Sequence, residues 1–175
     1  MKEETNLQTK ADCCATGQRL SAIQESRIFY APVSGTAHAI TEAPDEAFAE
    51  KMMGDGFFIV PSDGTVVAPC DGTVGFVPDT KHAICMETAD GDEYLIHFGI
   101  DTVKLEGKGF EVFVEAGQEV RKGDRLMKAN LEYIRANVPS DVCLVVFTGG
   151  QTVHLEKTCD VNALDAVASY QESAD

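Results

Sequence analysis

The chain has 175 residues, of which 44% are hydrophobic and 25% charged, and its formal net charge is −15. This length suits one domain with a well-buried core. The acidic excess, with no Lys/Arg cluster to offset it, argues against binding to nucleic acid or to an anionic membrane surface. We therefore expect small molecules or proteins with basic faces as partners. No apolar run approaches the roughly 20 residues of a membrane-spanning helix, and the polar start MKEETNLQTK is unlike a secretory signal, so we predict a cytoplasmic protein that does not insert into membranes.

The first 27 residues are polar, with a weak apolar rhythm at Leu20 and Ile23, and are predicted to be a flexible tail or linker. Residues 28–175 are predicted to form the folded domain. The initiating Met1 and this polar tail favour a freestanding domain over a piece of a longer permease chain. The six cysteines form no C-x-x-C pair and lie in a chain that needs no covalent staples, so reduced thiols are expected.

From Ile28 onward, short β-branched and aromatic runs alternate with Gly, Asp and Pro turns. These runs are IFYAPVSG, FFIVPSDG, TVVAPCDG, TVGFVPD, HAICME and EYLIHFG. Short strands need many partners to bury their faces, so the pattern predicts an all-β fold, a compact antiparallel β-sandwich or flattened barrel. Only PDEAFAEKMMG, residues 44–54, indicates one or two helical turns.

Two stretches resemble each other, APVSGTA at 31–37 and APCDGTV at 68–74. Each places a proline and a glycine turn before a threonine that starts the next strand. This similarity predicts an internal duplication. Glycines that bracket a short strand recur within 115–130, and the segment after 144 again alternates around Gly149-Gly150.

Asp90-Gly91 is the strongest hairpin signal in the chain, and a histidine lies on each side of it. With a loop of two residues or four, His82 and His97 point to the same face of the hairpin, and with four they lie opposite each other, with Cβ atoms about 5 Å apart. With a loop of three residues they point to opposite faces. An even loop therefore predicts an adjacent histidine pair.

A histidine on an apolar surface can be a metal ligand, a general base or a nucleophile. No zinc spacing such as H-x-x-x-H accompanies the pair. A phosphoryl-accepting histidine needs a neutral ring with one exposed nitrogen, and neighbours that hold its tautomer and donate to the phosphate. His82 could be such a donor to a group on His97, and Thr80 could hydrogen-bond His82. On the residues alone, two ordinary strand histidines remain the alternative.

Four stretches carry a resemblance that covers the chain from about Ile28 to Tyr170. They are HFGIDTVKLEGKGF (97–110), APVSGTA (31–37), PDEAFAEKMMGDGFFIVPSDGTVVAPCDGTV (44–74) and TKHAI (80–84). In order and content they resemble the glucose-type enzyme IIA domain of the bacterial phosphoenolpyruvate-dependent sugar phosphotransferase system. The resemblance implies that His97 is phosphorylated, that His82 contacts the phosphoryl group and that Thr80 orients His82.

The same resemblance implies a mechanism with no cofactor. The histidine-containing phosphocarrier protein delivers a phosphoryl group to Nε2 of His97, which passes it to a cysteine in the IIB domain of a sugar permease. The protein must mainly position the groups and exclude water, without a divalent metal. We expect a dry docking rim of Phe48, Met53, Phe98 and Val103. Asp101 either steers a basic residue of the partner or only caps a loop.

The chain departs from the family in one motif, where VPDTKH places Pro78 at a position that is aromatic in many members. This change predicts a different wall of the docking surface. Two other classes of protein are alternatives to consider beside the carrier. A lysostaphin-type zinc peptidase needs an H-x-H pair and an upstream H-x-x-x-D, but Phe98-Gly99 follows His97 and Glu42 lies four residues after His38. A regulatory module that reports the phosphorylation of His97 to other protein targets is compatible with the carrier function, and His82 with His97 could also recruit zinc together with a ligand from a partner.

Overall fold

The alternating apolar runs form short antiparallel strands in the computed structural model, which describes residues 26–172. Residues 1–25 of the predicted tail lie outside this range. Within it, the strands are β1 (Arg27–Tyr30), β2 (Gly35–Ala39), β3 (Asp55–Pro61), β4 (Thr65–Val67), β5 (Gly72–Phe76), β6 (Ala83–Thr88), β7 (Glu93–Ile100), β8 (Phe110–Val112), β9 (Glu119–Val120), β10 (Arg125–Ala129), β11 (Ser140–Phe147), β12 (Thr152–Leu155), β13 (Asp160–Val161) and β14 (Ala166–Gln171).

Among the described residues, the strands form one large sheet and two small ones. The large sheet has the order β13-β2-β3-β11-β7-β6-β5-β9, and the small sheets have the orders β1-β14-β12 and β4-β10-β8. The pairings between these neighbours are antiparallel. The predicted all-β antiparallel architecture is therefore confirmed.

The large sheet is apolar on both faces at its centre. Strand β11 sends Cys143, Val145 and Phe147 into the main core, while Val142, Leu144 and Val146 enter a second, smaller cluster on the other face. Such two-sided burial explains the unbroken apolar run of this strand. The second face is covered only in part, by the segment after β2, and the two histidines lie on this face.

The two similar stretches occupy similar structural positions, which supports the predicted duplication. Gly35 and Gly72 each begin a strand of the large sheet, β2 and β5. A Cβ atom would lie 2.1 Å from the carbonyl oxygen of Val60 at Gly35, and 2.0 Å from that of Glu87 at Gly72. Both repeats therefore use glycine because the neighbouring strand's backbone occupies the side-chain position.

The described residues contain two short α-helices. Helix α1 (Glu46–Ala49) falls within the predicted helical stretch 44–54, and Asp45 caps it by accepting the Ala47 N–H at 2.8 Å. Helix α2 (Leu131–Asn137) was not predicted, because it buries only Ile134 and two turns are too short to show a helical period. No helix in this part of the chain is long and apolar enough to cross a membrane.

Candidate functional site

The hairpin of β6 and β7 has a loop of three residues, so the even loop on which the predicted histidine pair depends is not present. Ala83 pairs with His97 and Ile84 with Ile96, and the Thr88 N–H donates to the Asp92 carbonyl across the end of the hairpin. The Thr88 hydroxyl accepts the backbone N–H groups of Asp90 and Asp92. This side chain therefore stabilises a loop that the dipeptide signal alone does not define.

The histidine rings nevertheless meet. The ring centroids of His82 and His97 are 4.9 Å apart, with an interplanar angle of 84°. Strand β6 begins only at Ala83, and just before His82 the backbone of Lys81 adopts a left-handed conformation with φ 59°. The alternation of side chains along a strand therefore does not extend to His82, and the turn at Lys81 brings its ring beside His97.

His97 is held neutral by its surroundings. Burial, and secondly the nearby His82, lower the pKa of His97 to about 4, although the backbone of Gly99 and the charge of Asp45 act in the opposite direction. Its Nδ1 atom is buried and makes no hydrogen bond of normal geometry. The ring as a whole stays partly exposed, so the edge that carries Nε2 is its accessible side. An imidazole with Nδ1 protonated leaves the Nε2 lone pair free to act as a nucleophile.

His82 is oriented by a hydrogen bond to Thr80. The Thr80 Oγ1 and His82 Nδ1 atoms are 2.8 Å apart. Burial lowers the pKa of His82, although the backbone of Thr80 acts to raise it. The hydrogen bond fixes the ring so that its other nitrogen, Nε2, is available for a ligand.

The turn after His97 is tightly constrained. Gly99 has φ +85°, and a Cβ atom there would lie 2.3 Å from Thr102 Cγ2. The Thr102 hydroxyl donates to the Phe98 carbonyl at 2.7 Å, which closes the turn. The pairing of β7 with β11 shifts register at this point, because two residues of β11, Asp141 and Val142, lie opposite the single residue Gly99, so the bulge is in β11. Asp101 is exposed, with φ 66°, and its carboxylate lies 3.9 Å from the Lys104 ammonium.

Two of the four predicted rim residues are buried; the prediction of a docking contact is wrong for Phe98 and stays a prediction for Phe48, which lies against His97. Phe98 is 0% exposed because its side chain points into the main core, as alternation along β7 requires. Phe48 is 5% exposed and packs on His97 with ring centroids 5.2 Å apart. Met53 and Val103 are exposed, at 43% and 50%.

Asp45 is not among the site residues that the sequence predicts. Asp45 is the N-cap residue of α1. Its charge partly opposes the lowering of the His97 pKa, so the carboxylate lies near the ring. The N-cap pattern of the PDEAFAE stretch could identify Asp45 as a helix cap. Its proximity to His97, some 50 positions along the chain, depends on the tertiary fold.

Within residues 26–172, no group of three or more His, Cys, Asp or Glu residues is arranged to hold a metal ion. His38, which the zinc-peptidase alternative would use, lies 3.2 Å from Glu42 through Nδ1 and stacks on Phe58 with ring centroids 5.2 Å apart. The local chemistry of His82 and His97 is that of two neutral imidazoles beside an exposed surface.

Comparison with known proteins identifies the class. Residues 27–153 match the family model described as the phosphoenolpyruvate-dependent sugar phosphotransferase system, EIIA 1. The chain belongs to this family, so it has a phosphotransfer role in the sugar phosphotransferase system. Among solved structures it is similar to glucose permease IIA from Mycoplasma capricolum, with 40% sequence identity and a TM-score of 0.78, over 83% of this chain and 96% of that one. The predicted resemblance to a glucose-type enzyme IIA domain is confirmed.

Proposed function

We propose that Nε2 of His97 accepts a phosphoryl group from the histidine-containing phosphocarrier protein and passes it to a cysteine in the IIB domain of a sugar permease. The observation that carries this proposal is the pair of half-buried imidazole rings, 4.9 Å apart, in which the pKa of His97 is lowered to about 4. A neutral ring is nucleophilic at physiological pH without a separate base.

Both transfers are displacements at phosphorus. In the first, the Nε2–P bond forms as the P–N bond to the donor histidine breaks, and the electron pair of that bond returns to the donor ring. In the second, the thiolate of the IIB cysteine forms an S–P bond as the bond to His97 breaks, and His97 becomes neutral again. The two nucleophiles are similar in strength, so positioning and exclusion of water supply most of the catalysis, and we propose no cofactor.

His82 supports the phosphoryl group in this scheme. If the Thr80 hydroxyl donates to Nδ1 of His82, the proton of the ring lies on Nε2, which can then donate to a phosphoryl oxygen on the neighbouring His97. Burial of both rings strengthens this hydrogen bond because water competes less for it.

The surroundings of His97 suit a basic partner. Met53 and Val103 are exposed apolar side chains, and Asp101 is exposed. Asp101 and the net charge of −15 on the whole chain would attract a phosphocarrier that presents Lys or Arg around its own histidine, and the two apolar side chains would contact its apolar surface. Such carriers act in the cytoplasm, so we assign the protein to that compartment.

The test is incubation with phosphoenolpyruvate, enzyme I and the phosphocarrier protein, followed by intact mass and phosphoramidate NMR. We expect one acid-labile phosphoryl group on the wild type, none on His97→Gln, and one again on His82→Gln. The loss of the group in His97→Gln but not in His82→Gln would assign the carrier and its support. No incorporation into the wild type with a competent cognate donor would refute the proposal.

A further inference from the structure

Phe76 is an exposed aromatic side chain on the face of the sheet that carries His97. Its exposed fraction is 57%, which is high for a phenylalanine at the end of a strand. It pairs with Cys85, whereas Val74 pairs with Met86, so the register of β5 against β6 shifts between them. Without this irregularity Phe76 would share the face of the buried Val74. The bulge therefore turns Phe76 outward.

The position of Phe76 relative to His97 follows from the register. Phe76 lies opposite Cys85, and Cys85 lies opposite Leu95, so the three form a row across β5, β6 and β7. Leu95 is two residues before His97 and on the same face. Two strand spacings across the sheet and one two-residue step along it put the Cα atoms of Phe76 and His97 about 12 Å apart. A docking patch of standard size, about 800 Å² on one partner, includes both.

An apolar groove runs beside Phe76. Its volume is about 440 Å³, and its lining includes Met53, Gly75, Cys85 and Leu95. Glu87 and Glu93, which pair across the hairpin, are exposed and also line it. The groove therefore presents an apolar floor with two carboxylates at one end. A second copy of this chain, with the same net charge of −15, is disfavoured as its occupant.

We propose that Phe76 is the aromatic anchor of the docking surface, and that its occupant is the phosphoryl donor protein, which presents an apolar side chain framed by Lys or Arg. The inference rests on the proposed function. It follows from the exposure of Phe76, the continuity of the groove with the His97 face and the acidic end of the groove. It also accounts for Pro78, because an aromatic group two residues earlier supplies the wall that this proline does not. Phe76 thus determines which donor docks well, without contact to the reacting atoms.

The test measures phosphoryl transfer to the full chain as a function of the concentration of the phosphorylated donor. Phe76→Ala should raise the KM for the donor about tenfold, as expected when a buried aromatic contact of an interface is lost, with kcat within about twofold. Phe76→Tyr should restore the KM. Phe113→Ala is the matched control. Phe113 is also exposed, at 39%, but it directly follows β8 and therefore lies at the small sheet of β4, β10 and β8. Its KM should equal that of the wild type.

The acidic end of the groove gives a second, independent readout. Glu87→Lys should raise the KM for the donor at low ionic strength, and the difference from the wild type should shrink as salt is added. An unchanged KM in Phe76→Ala would overturn the inference while the wild type still accepts the phosphoryl group. An effect confined to transfer onward to the IIB domain would overturn the assignment of the donor as occupant. Absence of any transfer to the wild type would instead refute the proposed function.

Discussion

The two ends of the β6–β7 hairpin each bury a polar side chain, but they differ in how many hydrogen-bond partners that side chain has. At the turn, the Asp92 carboxylate accepts from Gln151 Nε2 at 3.2 Å, from the Tyr170 hydroxyl at 3.1 Å and from Arg27 Nη1 at 3.0 Å. At the open end, Nδ1 of His97 is also buried, and the backbone of Gly99 interacts with it without a hydrogen bond of normal geometry. A carboxylate with several partners from separate parts of the chain stabilises the fold, whereas a buried imidazole nitrogen with few partners adds little to stability.

The partners of Asp92 come from separate parts of the chain. Arg27 belongs to β1 and Tyr170 to β14, so the carboxylate joins the small sheet to the hairpin that carries the histidines. The Arg27 side chain remains 34% exposed although it contacts Asp92. In comparison, the rings of His82 and His97 contact each other and gain no such connection between sheets. The turn end therefore contributes to stability, whereas the open end carries the two histidines to which we assign the proposed phosphoryl transfer.

Removal of the Asp92 carboxylate should give the largest change in stability. We expect Asp92→Ala to lower the free energy of unfolding by about 3 kcal/mol, because it leaves buried donors without an acceptor. Phosphoryl incorporation by the folded protein should persist. Asp90→Ala is the matched control, since Asp90 is exposed and its carboxylate makes a longer contact of 3.6 Å with Arg27 Nε. This substitution should lower the free energy of unfolding by about 0.5 kcal/mol or less. Urea unfolding measures both; equal losses would contradict the distinction between the two ends.

The pH dependence of stability should come from the open end. The pKa of His97 is lowered from 6.5 to about 4 in the fold, so between these values the unfolded chain binds the extra proton and stability falls as pH falls. At pH 5 this effect amounts to about 2 kcal/mol relative to pH 7.5. Unfolding of the wild type and of His97→Gln at both pH values measures it. The variant should lose this part of the slope, and identical slopes would show that the ring titrates normally.

The hydrogen bond from Thr80 to His82 should have the smallest effect. Thr80→Val removes it and should lower the free energy of unfolding by about 1 kcal/mol. The ring nitrogen shifts of His82 should change as its tautomer preference is lost. Thr36→Val, which removes the 2.7 Å hydrogen bond from Thr36 Oγ1 to Asp160, is the control that leaves His82 unaffected. Unchanged His82 shifts in Thr80→Val would show that this threonine does not orient the ring.

Much of the site is predictable from local sequence. Asp90-Gly91 indicates the hairpin, and the stretches around His82 and His97 indicate the family, because both signals depend on residues close together in the chain. The loop length was not predictable, since it depends on hydrogen bonds of the Thr88 side chain. The burial of Phe98 follows from alternation along β7, whereas the contact of Phe48 with His97 depends on how helix α1 packs on the sheet.

The sequence by itself determined the all-β class, the short helical turn after Ala43, the family and the two histidines that flank one hairpin, because strand alternation, turn chemistry and long motifs are local properties. Only the tertiary structure decided that the histidine rings meet despite an odd loop, that Asp45 lies near His97 and that Phe76 faces outward. These features depend on the left-handed backbone at Lys81, on helix packing and on a bulge in β5. Each is a small change of backbone direction that alters which face a side chain occupies, and such changes are set by contacts between distant parts of the chain.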